Sequence, residues 1–172
     1  MDMDTTEKLR AAKARMRHAC IDAALANTPA SVRVIRIRRA LSGRAYSPEE
    51  IAVPRPLTRR ALHVFLHECA HVALGHVRGN KVAQFGPTLP HVGPGPAQAA
   101  PWPKPGRKSR PVEEYEAARW AFARMRESGI PVPRKSMRRA KSYVAYKIRQ
   151  ARRRGAKVVD REAKRWAGET TP

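Results

Sequence analysis

The sequence predicts an α+β fold: a small, mainly helical domain with a short sheet of two or three strands beside one buried helix, and a basic helical C-terminal tail. Three observations lead there. The segment from Ala61 to Leu74 is apolar around most of its circumference, the pattern of a core helix. Short β-branched runs, punctuated by glycine and proline, precede it. Two amphipathic segments follow it after a Pro/Gly-rich stretch, and the second is strongly basic. Composition divides the chain into a domain at 1–130, containing a loop at 85–111, and an extension at 131–172.

Taken in order, Thr5 or Thr6 caps a first helix that runs to about Ala26. Leu9, Ala12, Met16, Ala19 or Cys20, and Ala23 recur at helical spacing, with Lys8, Arg10, Lys13, Arg15 and Arg17 on the other faces. Asn27-Thr28-Pro29 ends it. Val32 to Ile37 suits a strand, and Ala45-Tyr46 and Glu50 to Val53 give one or two more before Pro54 and Pro56. The core helix has Thr58 as N-cap and Gly75 as the residue just past its end. From Phe85 to Pro111 the chain carries eight of its fifteen prolines, the composition of a long loop. The next helix spans Val112 to Met125, with acids in its first turn, as the helix dipole favours, and an apolar stripe of Ala117, Trp120, Ala121 and Met125. The tail holds a helix from Ser136 to about Arg154, closed by Gly155, and a shorter one from Asp160 to Trp166. Met137, Ala140, Val144, Ile148 and Ala151 form the seam by which the longer helix meets the domain.

A chain of 172 residues fits one compact domain with basic extensions. Its formal charge of +22 attracts polyanions, of which nucleic acid is the usual one. Fourteen Lys/Arg against two acids between Arg134 and Arg165 supply more than half of that charge. Arg138, Arg139, Lys141, Lys147, Arg149, Arg152, Arg153 and Arg154 are the candidate nucleic-acid contacts. Tyr143 and Tyr146 beside them suit base stacking or packing at a helix edge. Met1-Asp2-Met3-Asp4 is acidic and no apolar h-region follows; no run approaches the ~20 apolar residues of a membrane span. Cys20 and Cys69 make no disulfide framework. The expectation is a soluble, cytoplasmic protein that does not enter a membrane.

Within the core helix the residues from His67 read H-E-C-A-H. Positions four apart share a helix face, so His67 and His71 can present imidazole nitrogens to one Zn²⁺ ion at about 2.0–2.1 Å. Glu68, roughly 100° around the helix, stands where the general base for a zinc-bound water belongs. Histidines and a glutamate inside an apolar element are costly unless paired or metal-bound. Cys69 would crowd a tetrahedral site and reads as a small buried apolar residue. A third protein ligand is required. His63 lies eight residues from His71, about 12 Å of helix rise, too far when ligands of one zinc sit within about 4 Å of each other. His76 does not fall where a metzincin would place its third histidine, and reads as a helix-end residue. His91 is a further candidate, and the acidic cluster Glu113, Glu114, Glu116 is the best source. Helical spacing does not choose among its members.

His67-Glu68-Cys69-Ala70-His71-Val72-Ala73-Leu74-Gly75-His76, followed by Glu114-Tyr115-Glu116-Ala117-Ala118-Arg119-Trp120-Ala121, resembles the ImmA/IrrE family of zinc metallopeptidases over about residues 30–130. The resemblance implies a zincin-like fold, an endopeptidase acting on a regulatory, often DNA-bound, protein, and a phage- or prophage-type member. By register it puts the third zinc ligand on Glu114. Ala118 stands where the family carries Asn or Asp, a residue expected to orient a zinc histidine, so the departure bears on catalytic efficiency rather than on zinc binding. Tyr46, His76, His91 and Tyr115 are candidate oxyanion donors. Two other readings differ in a testable way. A SprT-like DNA-associated protease would take His91 as third ligand, and a non-catalytic zinc-containing protein would act through its basic tail alone.

Overall fold

Eight helices and strands follow one another in the computed structural model, which describes residues 3–38, 42–77 and 109–169. They are α1 (Met3–Ala26), β1 (Arg33–Ile37), β2 (Arg44–Ser47), β3 (Glu50–Pro54), α2 (Arg59–Ala73), α3 (Arg110–Glu127), α4 (Arg134–Arg153) and α5 (Arg161–Ala167). The architecture is mixed α+β, as the sequence predicts. The sheet has the order β1-β3-β2. β3 runs parallel to β1, with Val34 opposite Ile51, and antiparallel to β2, with Ala45 also opposite Ile51. The central strand is the most apolar, and Ile51 and Val53 are fully buried. β2 is left as an edge strand with a register irregularity between Ala45 and Ser47.

α2 packs between this sheet and α3. The Thr58 side chain accepts a hydrogen bond from the Ala61 N–H at 3.2 Å, satisfying one of the donors that a helix start leaves open. At the other end Gly75 adopts φ +66°, a conformation that favours glycine. The Gly75 N–H donates to Val72 O at 3.0 Å and the His76 N–H to His71 O at 2.8 Å, which together make a Schellman motif. Phe65 and Leu66, 1% and 0% exposed, each contribute about 1.5–3 kcal/mol by leaving water. They join Cys20, Ile51, Val53, Leu62, Phe122 and Met125 in the main core. Cys69 is fully buried, and burial pushes its thiol up to about 12, which fits its expected role as an apolar filler.

The first helix and the start of α3 differ in detail from the sequence expectation. The apolar stripe of α1 is used only in its second half: Cys20, Ala23 and Ala24 are buried, whereas Leu9 is 55% exposed. α3 begins at Arg110, so Pro111 belongs to its first turn, where the missing N–H costs nothing. The tail is built into the body of the molecule. Ala140 of α4 is buried in the main core, with Met137 and Trp166 packed against it. Val144 and Ile148 form a second cluster with Tyr115 of α3 and Val159 and Ala163 near α5. Among the described residues no helix is long and apolar enough to cross a membrane.

Candidate metal centre

The packing of α3 across α2 brings one carboxylate onto the histidine pair. Glu114 Oε2 lies 3.1 Å from His67 Nε2 and 3.5 Å from His71 Nε2, and the two imidazole nitrogens are 3.2 Å apart. Bonds of about 2.0–2.1 Å to a tetrahedral ion separate the donor atoms by about 3.3–3.4 Å. The triangle has that size. Three atoms able to offer lone pairs converge on one point, and His67, His71 and Glu114 could hold a metal ion.

The neighbouring acids of α3 are engaged elsewhere. Glu113 pairs with Arg110 at 3.3 Å, and Glu116 Oε2 lies 3.0 Å from His76 Nε2. Successive helix positions turn by about 100°, so only one of the three can face α2 at this level. Burial works to raise the Glu114 pKa, but the hydrogen bonds and charges of His67 and His71 outweigh it and hold the carboxyl well below its usual range. His67 shows the reciprocal effect, burial lowering it and Glu114 raising it to a net upward shift. A metal ion competes with the proton this pair shares.

Glu68 is directed into the same cleft, a space of about 400 Å³ whose lining includes His67, His71 and Glu114. Burial raises its pKa above the ordinary carboxylate value, against the opposing pull of His67 and His71 and of a hydrogen bond from the Ala45 backbone. Ala45 belongs to the edge strand β2. Gly43, just before that strand, lies so close that an added Cβ would stand 2.7 Å from Glu68 Cγ and 3.0 Å from Val64 Cγ1. Glycine is needed there for space.

No protein-family model, curated protein or solved structure matches this chain.

The remaining sequence candidates fall in different places. His91 lies outside the described residues. His63 stacks on Phe122 at 4.6 Å and 12°, and its Nε2 is buried without a hydrogen-bond partner among the described residues. Burial, then the charges of His67 and Arg139, lower its pKa to about 3. His76 is buried and contacts His71, Nδ1 to Nδ1 at 3.1 Å. The Tyr115 hydroxyl donates to Glu162 at 3.2 Å and accepts from Arg119 at 2.9 Å, turned toward α5. Tyr46 stacks under Arg44 and is not part of the cleft lining.

Of the basic candidates, Arg139 lines the cleft, and the Lys147 ammonium sits 5.0 Å from the Tyr143 ring centre. Arg149 and Arg152 share Glu169 at 2.7 and 3.4 Å. Arg138, Lys141, Arg153 and Arg154 are exposed. Sequence reasoning missed that Arg139 and Tyr143, one helical turn apart on α4, form a wall of the cleft. It also missed the closeness of Gly43 to Glu68. The i, i+4 spacing of Arg139 and Tyr143 was readable, but which way α4 faces was not. Burial first, then the carboxylates of Glu114 and Glu68, push the Tyr143 hydroxyl up to about 12, so it remains a donor.

Proposed function

We propose that this chain is a zinc-dependent metallopeptidase of the ImmA/IrrE type, an endopeptidase for a protein substrate. The observation that carries the reading is the triangle of His67, His71 and Glu114 with Glu68 beside it in one cleft. Two imidazoles and one carboxylate are a donor set of catalytic zinc sites, which leave a fourth position open. Zinc, when bound, supplies a Lewis acid that acidifies a water and polarises a carbonyl. Glu68 takes the proton from the attacking water at its carboxylate and later returns it to the leaving amine. Burial shifts its pKa upward, the direction that makes a carboxylate a stronger base. The edge strand β2 offers backbone groups to an extended substrate. Tyr143 also lines the cleft with its hydroxyl kept protonated, and it is the candidate donor to the developing oxyanion. The exposed arginines of α4 favour a substrate held on nucleic acid. The carboxylate on the triangle supports a two-His, one-Glu centre over the SprT-like reading with His91.

The test has two parts. Zinc content is measured for wild type, His71→Ala, Glu114→Ala and His91→Ala; one ion per chain is expected in wild type and His91→Ala, with loss in the other two. Wild type and Glu68→Gln are then compared on a peptide library. Retained zinc with lost cleavage is expected for Glu68→Gln, and full cleavage by this variant would sink the mechanism.

A further inference from the structure

The C-terminal end of α2 does more than stop a helix. A Schellman motif brings the residue after the left-handed glycine over the side chain five positions earlier, ordinarily in an apolar contact. Here those two residues are His76 and His71, and their Nδ1 atoms are 3.1 Å apart. On the far side of His76, Nε2 lies 3.0 Å from Glu116 Oε2. The His76 side chain is 2% exposed and that of Glu116 28%, so the chain of contacts runs from the centre of the molecule toward its surface.

We infer that Glu116 and His76 form a positioning relay that fixes the ring orientation and tautomer of the metal ligand His71. The inference rests on the metal-centre reading above. To offer its Nε2 lone pair to the triangle, a neutral His71 carries its single ring proton on Nδ1. That N–H donates to His76 Nδ1, which must then be the acceptor. His76 accordingly carries its own proton on Nε2 and donates it to the Glu116 carboxylate. Each ring has one proton, and each contact has one donor and one acceptor. Reversing the order would put a proton on His71 Nε2 and block the lone pair that faces Glu114. The carboxylate end, an acceptor only, therefore selects the ligating tautomer.

His67 has no such support. Its Nδ1 is buried without a partner among the described residues. The two rings differ at Nδ1: that of His71 meets His76, and that of His67 meets no partner among the described residues.

Zinc affinity measured by chelator competition on the full chain tests the relay, with melting of the metal-free proteins recorded alongside. His76→Ala is expected to weaken zinc binding about 10–100-fold. His76→Gln, whose amide oxygen can accept from His71 Nδ1–H, is expected to recover most of that loss. Glu116→Gln, at the surface end, should weaken binding severalfold without changing the melting of the metal-free protein. Nitrogen-15 spectra of the zinc-loaded wild type should find the His71 proton on Nδ1 and the His76 proton on Nε2. If wild type binds zinc and both His76→Ala and Glu116→Gln stay within about threefold of it, the relay is overturned and the metal centre stands. A His76 proton found on Nδ1 overturns it too. A wild type that binds no zinc overturns the parent reading and the relay with it.

Discussion

At the scale of single residues, two positions carry consequences that their types alone do not suggest. Gly43 has ordinary backbone freedom available to any residue, and what it provides is room. A methyl group there would meet Glu68 at 2.7 Å and Val64 at 3.0 Å, and the first contact is with the stem of the side chain proposed as general base. Gly43→Ala is expected to keep its zinc and to lose turnover, by about tenfold or more, since a small misplacement of a reacting group is costly. A variant with full turnover would show that Glu68 can give way. His63 is the second position. Its pKa of about 3 lies below the ordinary value of 6.5, because the buried ring resists protonation. Below about pH 6.5 the unfolded chain binds a proton here that the folded chain does not. This contribution to stability is present in full above that pH and is lost as pH falls toward 3, at about 1.4 kcal/mol per pH unit. His63→Phe keeps a ring on Phe122 and removes the titration. Urea unfolding of metal-free protein should therefore find the variant gaining on wild type by on the order of 2 kcal/mol between pH 7 and pH 5. Parallel pH profiles would contradict the assignment.

At the scale of elements, α4 has the more demanding role. Its apolar seam follows the expected residues: Ala140, Val144, Ile148 and Ala151 are all buried. The seam also turns Arg139 and Tyr143 into the cleft. A chain ending at residue 130 would lose Ala140 from the core and the packing of Met137 and Trp166 against it. Such a truncation is expected to abolish cooperative thermal unfolding and zinc binding together, as judged by calorimetry and metal content. A truncated chain that melts cooperatively and takes up zinc would instead make the tail an independent extension. The ends of α2 matter for a related reason. Thr58 and Gly75 set where the helix starts and stops, and the stop determines which side chain lies over His71.

At the scale of the whole molecule, charge and cleft meet on one helix. α4 presents Arg139 and Tyr143 to the cleft and several arginines to solvent, so a polyanion on its outer face would lie beside any peptide in the site. If the +22 charge serves nucleic acid, affinity for a duplex oligonucleotide should fall linearly in a log–log plot against salt. Replacing Arg138, Lys141 and Arg153 together by glutamine should lower that slope by up to about three, roughly one for each phosphate no longer neutralised. Arg149 and Arg152 are weaker choices because both are engaged with Glu169. No binding at modest ionic strength would remove nucleic acid from the proposal and leave the metal centre untouched.

Whatever depends on local periodicity and on helix ends was legible in the sequence alone. The apolar circumference of α2, its Thr58 cap and its Gly75 stop are of this kind, and so is the placing of His67 and His71 on one face with Glu68 beside them. Two or three short strands ahead of α2 and the seam of α4 were legible for the same reason: period and punctuation are properties of neighbours in the chain. The choice of Glu114 from three closely spaced acids was not, and only a resemblance pointed to it. Which carboxylate faces α2 depends on the rotation of α3 about its own axis, and that is set by packing against residues some forty positions away. His76 falls between the two cases. The glycine that folds it back was visible, and the bond it makes to His71 follows from that fold. The acceptor behind it, Glu116, is supplied by α3. Tertiary structure alone decided the near contact of Gly43 with Glu68, the placing of Tyr143 on the cleft and a His67 nitrogen left without a partner among the described residues. Each is a meeting of surfaces from different elements, and no spacing within one element encodes such a meeting.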